Sequence, residues 1–147
     1  MTYKIDKISK DQFPEVVEVW EASVRATHQF LREEDIQYFK PLILNEYLNV
    51  VELRCIRNKV MEIIGFMGVA GMHLEMLFIH PAYQGMGIGK SLLTFSINEF
   101  KVNAIDVNEQ NEQAVEFYKH CGFEIIGRSK LDASGKPYPI LHMELKK

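Results

Sequence analysis

The chain has 147 residues, 47% of them hydrophobic, and a formal net charge of -3. That length fills one core and leaves too little for two, so residues 1–147 read as a single domain. No apolar run approaches the ~20 residues that span a bilayer, and MTYKIDKISK lacks the apolar stretch of a signal peptide. No cluster of Lys or Arg offers the positive charge that nucleic acid requires. These features predict a cytoplasmic protein acting on small molecules or peptides, with no membrane and no nucleic acid partner. Cys55 and Cys121 lie in apolar segments, as buried reduced thiols do, and not in a disulfide framework.

Tyr3 to Ile8 alternate polar and apolar, which predicts a first strand. Ser9 and Gln12 have capping-box spacing, and a helix should run from there to about Arg25. A polar break, Arg32 to Asp35, opens a second helical stretch through Tyr47, in which Pro41 should interrupt the helix or start a new turn. Val50 to Arg57 and Met61 to Ala70 read as strands joined by a two-residue hairpin at Asn58-Lys59. Gly71 precedes a third strand, Met72 to Ile79, which Pro81 ends. After a glycine-rich turn come a helix from Lys90 to Phe100, a strand from Val102 to Val107 and a helix from Asn111 to Cys121. Gly122 stands where a left-handed C-cap is expected, and Phe123 to Ile126 and Ile140 to Leu145 are the last strands. This order predicts an α/β fold with a mixed sheet and helices on both faces.

Three patterns compete for the turn Gln84-Gly85-Met86-Gly87-Ile88-Gly89. A P-loop ends as Gly89-Lys90-Ser91 does, but its first glycine would fall at Gln84. A dinucleotide fingerprint fits Gly85 and Gly87 and fails at Lys90. The third pattern, Gln/Arg-x-x-Gly-x-Gly/Ala, is met by Gln84, Gly87 and Gly89. A glycine turn before a helix N-terminus presents free N–H groups to one spot, lets a phosphate approach closely, and here adds the charge of Lys90. An ordinary strand-to-helix turn has the same look.

A second pattern follows about twenty residues on, Asn111-x-x-Ala114-x-x-x-Tyr118-x-x-x-Gly122-Phe123. With both in place, the chain from about Ile63 onward resembles the GNAT N-acetyltransferases. The stretches Ser23 to His28, Asn108 to Ala114 and Gly135 to Pro139 resemble a branch of small bacterial members. The resemblance implies an acyl-CoA N-acyltransferase fold, a central, mostly antiparallel sheet flanked by helices. It implies acetyl-CoA as co-substrate, with Gln84, Gly85, Met86, Gly87, Ile88, Gly89 and Lys90 around the pyrophosphate. Leu77, Phe78 and Ile79 would act through backbone N–H groups freed by a bulge, holding the pantetheine arm and steadying an oxyanion. Asn111 and Ala114 would meet the cofactor arm. Asn111 could equally cap the helix that follows.

The same resemblance makes Tyr118 the acid for the departing thiolate. A phenol near 10 is a weaker acid than a thiol near 8.5, so Tyr118 must be assisted or must only share its proton. As an aromatic on an amphipathic helix it could also be packing. Glu75 is the candidate base, against the alternative of a strand carboxylate facing water. Arg25, His28 and Phe30 fall where the resemblance places the acceptor amine, and the base stays open between Glu75, His28 and a water relay; a lone His beyond a helix is more often a surface or capping residue. His73 and Glu75 share a strand face but lack a third ligand at useful spacing, so no metal is expected. The expected reaction is direct attack of an amine on the thioester in a ternary complex. A non-catalytic acyl-CoA-binding module and a nucleotide-binding protein remain as alternatives. A homodimer stays open, with Tyr138 between two prolines as a residue for such an interface.

Overall fold

A computed structural model describes residues 3–146. Seven strands form one sheet: β1 (Asp6–Lys7), β2 (Glu52–Arg57), β3 (Ile63–Ala70), β4 (His73–Ile79), β5 (Ala104–Asn108), β6 (Phe123–Ser129) and β7 (Ile140–Leu145). Their order is β1-β2-β3-β4-β5-β7-β6. Among the described residues only β4 and β5 run parallel, and every other pairing is antiparallel. A P-loop or dinucleotide fold, built on repeated parallel strand-helix units, is therefore absent from the described residues.

Four helices cover the sheet: α1 (Phe13–Thr27), α2 (Glu33–Asn45), α3 (Ile88–Phe100) and α4 (Glu112–His120). One core lies under α1 and α2, where Val16, Trp20, Val24 and Ile36 meet Phe66 and Leu53. The other lies under α3 and α4, where Leu92, Leu93 and Val115 meet Met67, Ile105 and Met143. Side-chain alternation along the strands supplies both, because successive residues face opposite helix layers.

Several expected boundaries move for local reasons. The first strand shrinks to Asp6–Lys7, since only those residues reach β2. Ser9 N–H does donate to the Gln12 side chain at 3.0 Å, but the capped turn is a short 3-10 segment before α1. Pro41 does not interrupt α2, which continues to Asn45. The Asn58-Lys59 hairpin is longer than two residues: Asn58 Oδ1 accepts from the N–H groups of Val60 and Glu62, and Met61 takes the left-handed φ of 68°. Without Gly after Asn, the tight mirror-image turn loses its preferred residue. Helix α3 starts at Ile88, two residues early, because Gly87 is its N-cap. Gly122 has φ of 97°, as a left-handed C-cap requires.

Candidate active site

Strand β4 organises the site. Its pairing with β5 covers only His73↔Ala104 and Leu74↔Ile105, while its pairing with β3 continues to Ile79. Between Val69↔Leu74 and Gly68↔Met76 the register shifts, leaving Glu75 as the extra residue of a β-bulge. Beyond Leu74 the strands part, and the edge of Leu77 to Ile79 toward β5 has no strand partner. A cavity of about 380 Å³ occupies the gap on the α3 and α4 side.

The glycine-rich turn forms one wall of this cavity. Gly85 and Gly87 have φ of 76° and 80°, and no atom lies within 4 Å of a Cβ built at either. Backbone conformation, not space, therefore demands glycine there. At Gly89 a Cβ would sit 3.6 Å from Phe117, an ordinary contact, which is why the pattern tolerates alanine at that position. Ser91 N–H bonds to Gly87 carbonyl at 3.0 Å, so the N–H groups of Ile88, Gly89 and Lys90 precede the first intrahelical bond. Gln84 Nε2 donates to the Ile79 carbonyl at 3.4 Å and ties the turn to the strand end. A helix N-terminus with free N–H groups of this kind suits an anion.

Leu77, Phe78, Ile79, Gln84, Gly85, Gly87, Ile88, Gly89, Lys90, Asn111, Ala114 and Tyr118 all line this cavity. Met86 does not; its side chain is exposed, and its carbonyl accepts from Tyr3 Oη at 2.6 Å. Asn111 is the N-cap of α4, with Oδ1 accepting from Ala114 N–H at 3.3 Å, and it faces the cavity as well. Tyr118 is buried on α4 between Phe117 and Phe123, and burial pushes its phenol well above the ordinary range.

A second cavity of about 750 Å³ opens on the other face, under α1 and α2. It shares His28 and Phe78 with the first, so those two residues mark the junction. One wall is apolar, with Trp20, Val24, Leu31, Phe39 and Ile43. The other is polar and comes from β4, β5, β6, β7 and the loop between β6 and β7: Glu75, Asp106, Asn108, Ser129, Asp132 and His142. No Lys or Arg is among its described lining residues. Ser129 Oγ lies 2.7 Å from His142 Nε2, and His142 Nδ1 lies 2.6 Å from Asp106 Oδ1. His73 adds contacts of 3.4 Å to Asp106 and 3.2 Å to Glu75, the latter misaligned for a hydrogen bond. Among the described residues no three such side chains converge as metal ligands would.

His28 caps α1 and is only 8% exposed, so it is an interior residue, not the surface residue its position suggested. Burial holds its imidazole at about 4, below the ordinary value. Phe30 lines neither cavity but packs on His28, with ring centroids 5.2 Å apart. Arg25 reaches neither cavity; it pairs with Glu33 at 2.6 Å and Glu21 at 2.9 Å on the outer side of α1. Tyr138 is buried within the chain, donating to Asp35, whose other oxygen is 2.8 Å from Lys136 Nζ. That placement withdraws Tyr138 from a subunit interface and ties the loop between β6 and β7 to α2 beside the second cavity.

The profile of the acetyltransferase (GNAT) domain family matches residues 15–146. The chain belongs to that family: it is an N-acetyltransferase that uses acetyl-CoA as donor. It is 38% identical over 143 residues to peptidyl-lysine N-acetyltransferase YjaB of Escherichia coli (strain K12), covering 97% of each protein. The solution structure of the apo form of YjaB from Escherichia coli superimposes with a TM-score of 0.87, at 37% identity, over 98% of this chain and 97% of that one. The PaiA N-acetyltransferase of Thermoplasma acidophilum, solved with coenzyme A, shares the fold with a TM-score of 0.76 over 100% of both chains, at 24% identity. Among the described residues, no helix is long and apolar enough to cross a membrane.

Proposed function

We infer that the acceptor is the side-chain amine of a lysine in a peptide or protein, acetylated by direct attack in a ternary complex. The observation that carries this reading is the second cavity: it joins the first at His28 and Phe78, and its polar wall carries Glu75, Asp106 and Asp132 without a lining Lys or Arg. An acidic wall draws a cationic acceptor, and the apolar wall opposite suits the methylene stem of lysine. YjaB, related along nearly the whole chain, carries the peptidyl-lysine name. The free cysteines Cys55 and Cys121 agree with a cytoplasmic setting.

In this reading the amides of Ile88, Gly89 and Lys90 hold the pyrophosphate, with Gly85 and Gly87 shaping the turn and the Lys90 charge beside it. The open edge of Leu77 to Ile79 pairs with the pantetheine arm and donates to the carbonyl oxygen as negative charge grows there. Asn111 and Ala114 line the arm from α4. Tyr118 serves the leaving sulfur. Its burial-weakened acidity widens the gap to a thiol, so full proton transfer is uphill, and the phenol acts as a hydrogen-bond donor to the thiolate. Glu75 acts from the acceptor side by attracting the cation.

The test is acetyl-CoA with peptides carrying one lysine and a blocked N-terminus, set against a free α-amine peptide and a small polyamine. Acetylation of the lysine, weakened by salt, is expected. Exclusive acetylation of the α-amine or the polyamine would replace this reading.

A further inference from the structure

His28 stands where two hydrogen-bond chains meet, and both fix the same proton. Thr27 Oγ1 lies 2.8 Å from the Ser23 carbonyl and 2.8 Å from His28 Nδ1. A carbonyl can only accept, so the single hydroxyl proton of Thr27 goes to Ser23. The contact with the ring then requires a proton on His28 Nδ1. From the other side, Asn111 Oδ1 accepts from Ala114 N–H, which turns Asn111 Nδ2 toward His28 Nε2 at 3.5 Å. An amide NH₂ can only donate, so Nε2 must be bare. The contact is long, and the lone pair is open to a better donor at the junction of the two cavities.

We propose that His28 is the base of the transfer, held as the Nδ1–H tautomer by Thr27 and Ser23 so that Nε2 receives the proton of the attacking amine. This rests on the lysine reading for its acceptor. The neutral amine nitrogen forms a bond to the acetyl carbon, and the carbon–sulfur bond breaks. The proton that the nitrogen loses passes to Nε2, while the sulfur leaves as thiolate under the Tyr118 hydroxyl. The imidazolium then returns that proton, which with the thiolate makes up the released thiol. An imidazole held low by burial cannot strip a free ammonium near 10.4, but the nitrogen becomes strongly acidic as its bond to carbon forms. Burial meanwhile keeps Nε2 bare at neutral pH. Glu75 is placed less well for this step: it lines only the acceptor cavity, its side chain is 43% exposed, and it lies beside His73.

Two measurements decide this. Nitrogen-15 NMR of histidine-labelled protein at neutral pH, alone and with coenzyme A, should show His28 with its proton on Nδ1. A proton on Nε2, or an imidazolium, overturns the proposal even if no His28 variant folds. Second, His28→Ala should lower kcat by about 100-fold with the coenzyme A Kd unchanged, and added imidazole should restore part of the rate. A kcat within about threefold of wild type overturns the proposal. Should wild type leave lysine peptides untouched, the acceptor reading fails on its own, and the same comparison is made on the amine that it does acetylate.

Discussion

Lowering the pH probes the burial of His28 without any substrate. An imidazole in an unfolded chain titrates near 6.5, whereas the fold holds His28 at about 4. The folded value is the lower one, so the unfolded chain takes up the proton first. Above about pH 6.5 the residue has no effect on stability; the loss grows as pH falls toward 4 and levels off below it. The full difference corresponds to about 3 kcal/mol, of which about 2 kcal/mol is already lost at pH 5. Urea unfolding of wild type and His28→Gln at neutral pH and at about pH 5 measures it, because the other four histidines are common to both proteins and cancel. Asp35, held below its ordinary value by Lys136 and then Tyr138, and Glu109, held low by Arg128, lose their contribution only as pH falls through the carboxyl range beneath this window. Wild type should therefore lose about 2 kcal/mol more than the variant between the two conditions. Equal losses would refute the claim that the ring is buried and neutral.

If the Tyr118 hydroxyl serves only the departing sulfur, as proposed, Tyr118→Phe should lower kcat by about 10- to 100-fold while acetyl-CoA binding, measured calorimetrically, stays within about twofold. Gly65→Ala would place a Cβ 2.8 Å from Ile88 and 2.9 Å from Ile79, so stability should fall by about 1–3 kcal/mol and coenzyme A affinity with it, read by urea unfolding and titration. Gly87→Ala forces a side chain into a left-handed backbone at about 1–2 kcal/mol, and should weaken coenzyme A binding more than it changes the KM for peptide. Asp106→Asn combined with Glu75→Gln should raise the KM for lysine peptides by about tenfold and flatten its dependence on salt, with coenzyme A affinity unchanged.

The donor side was legible because its signals are local. Gln84 to Gly89 and Asn111 to Gly122 are short contiguous segments, and each encodes a turn or cap that glycine or asparagine conformation dictates. The acceptor side is assembled from single residues far apart in the chain. Asp106, Ser129 and His142 meet only because β7 inserts between β5 and β6, a strand order that periodicity does not reveal. His28 was legible only in part for the same reason: its place just past α1 allows a surface or capping residue, and the packing of Phe30 and Phe78 around this C-cap makes it interior. Arg25 follows the buried Val24 directly, so it lies on a different face of α1 and turns outward to Glu33 and Glu21. Pro41 shows the opposite limit, since tertiary packing of Ile36 and Ile43 carries α2 through a residue whose local preference is to stop it.

In the proposed reaction an acetyl group passes from coenzyme A to a lysine side chain held between the apolar and acidic walls of the second cavity. The measurement that tests it most directly is mass spectrometry of a blocked peptide with one lysine after incubation with acetyl-CoA, fragmenting the product to locate the group. A single acetyl on the lysine Nζ is expected, formed by wild type and strongly reduced in Tyr118→Phe and His28→Ala. An unmodified lysine, under conditions where coenzyme A binding is saturated and another amine is acetylated, would contradict it.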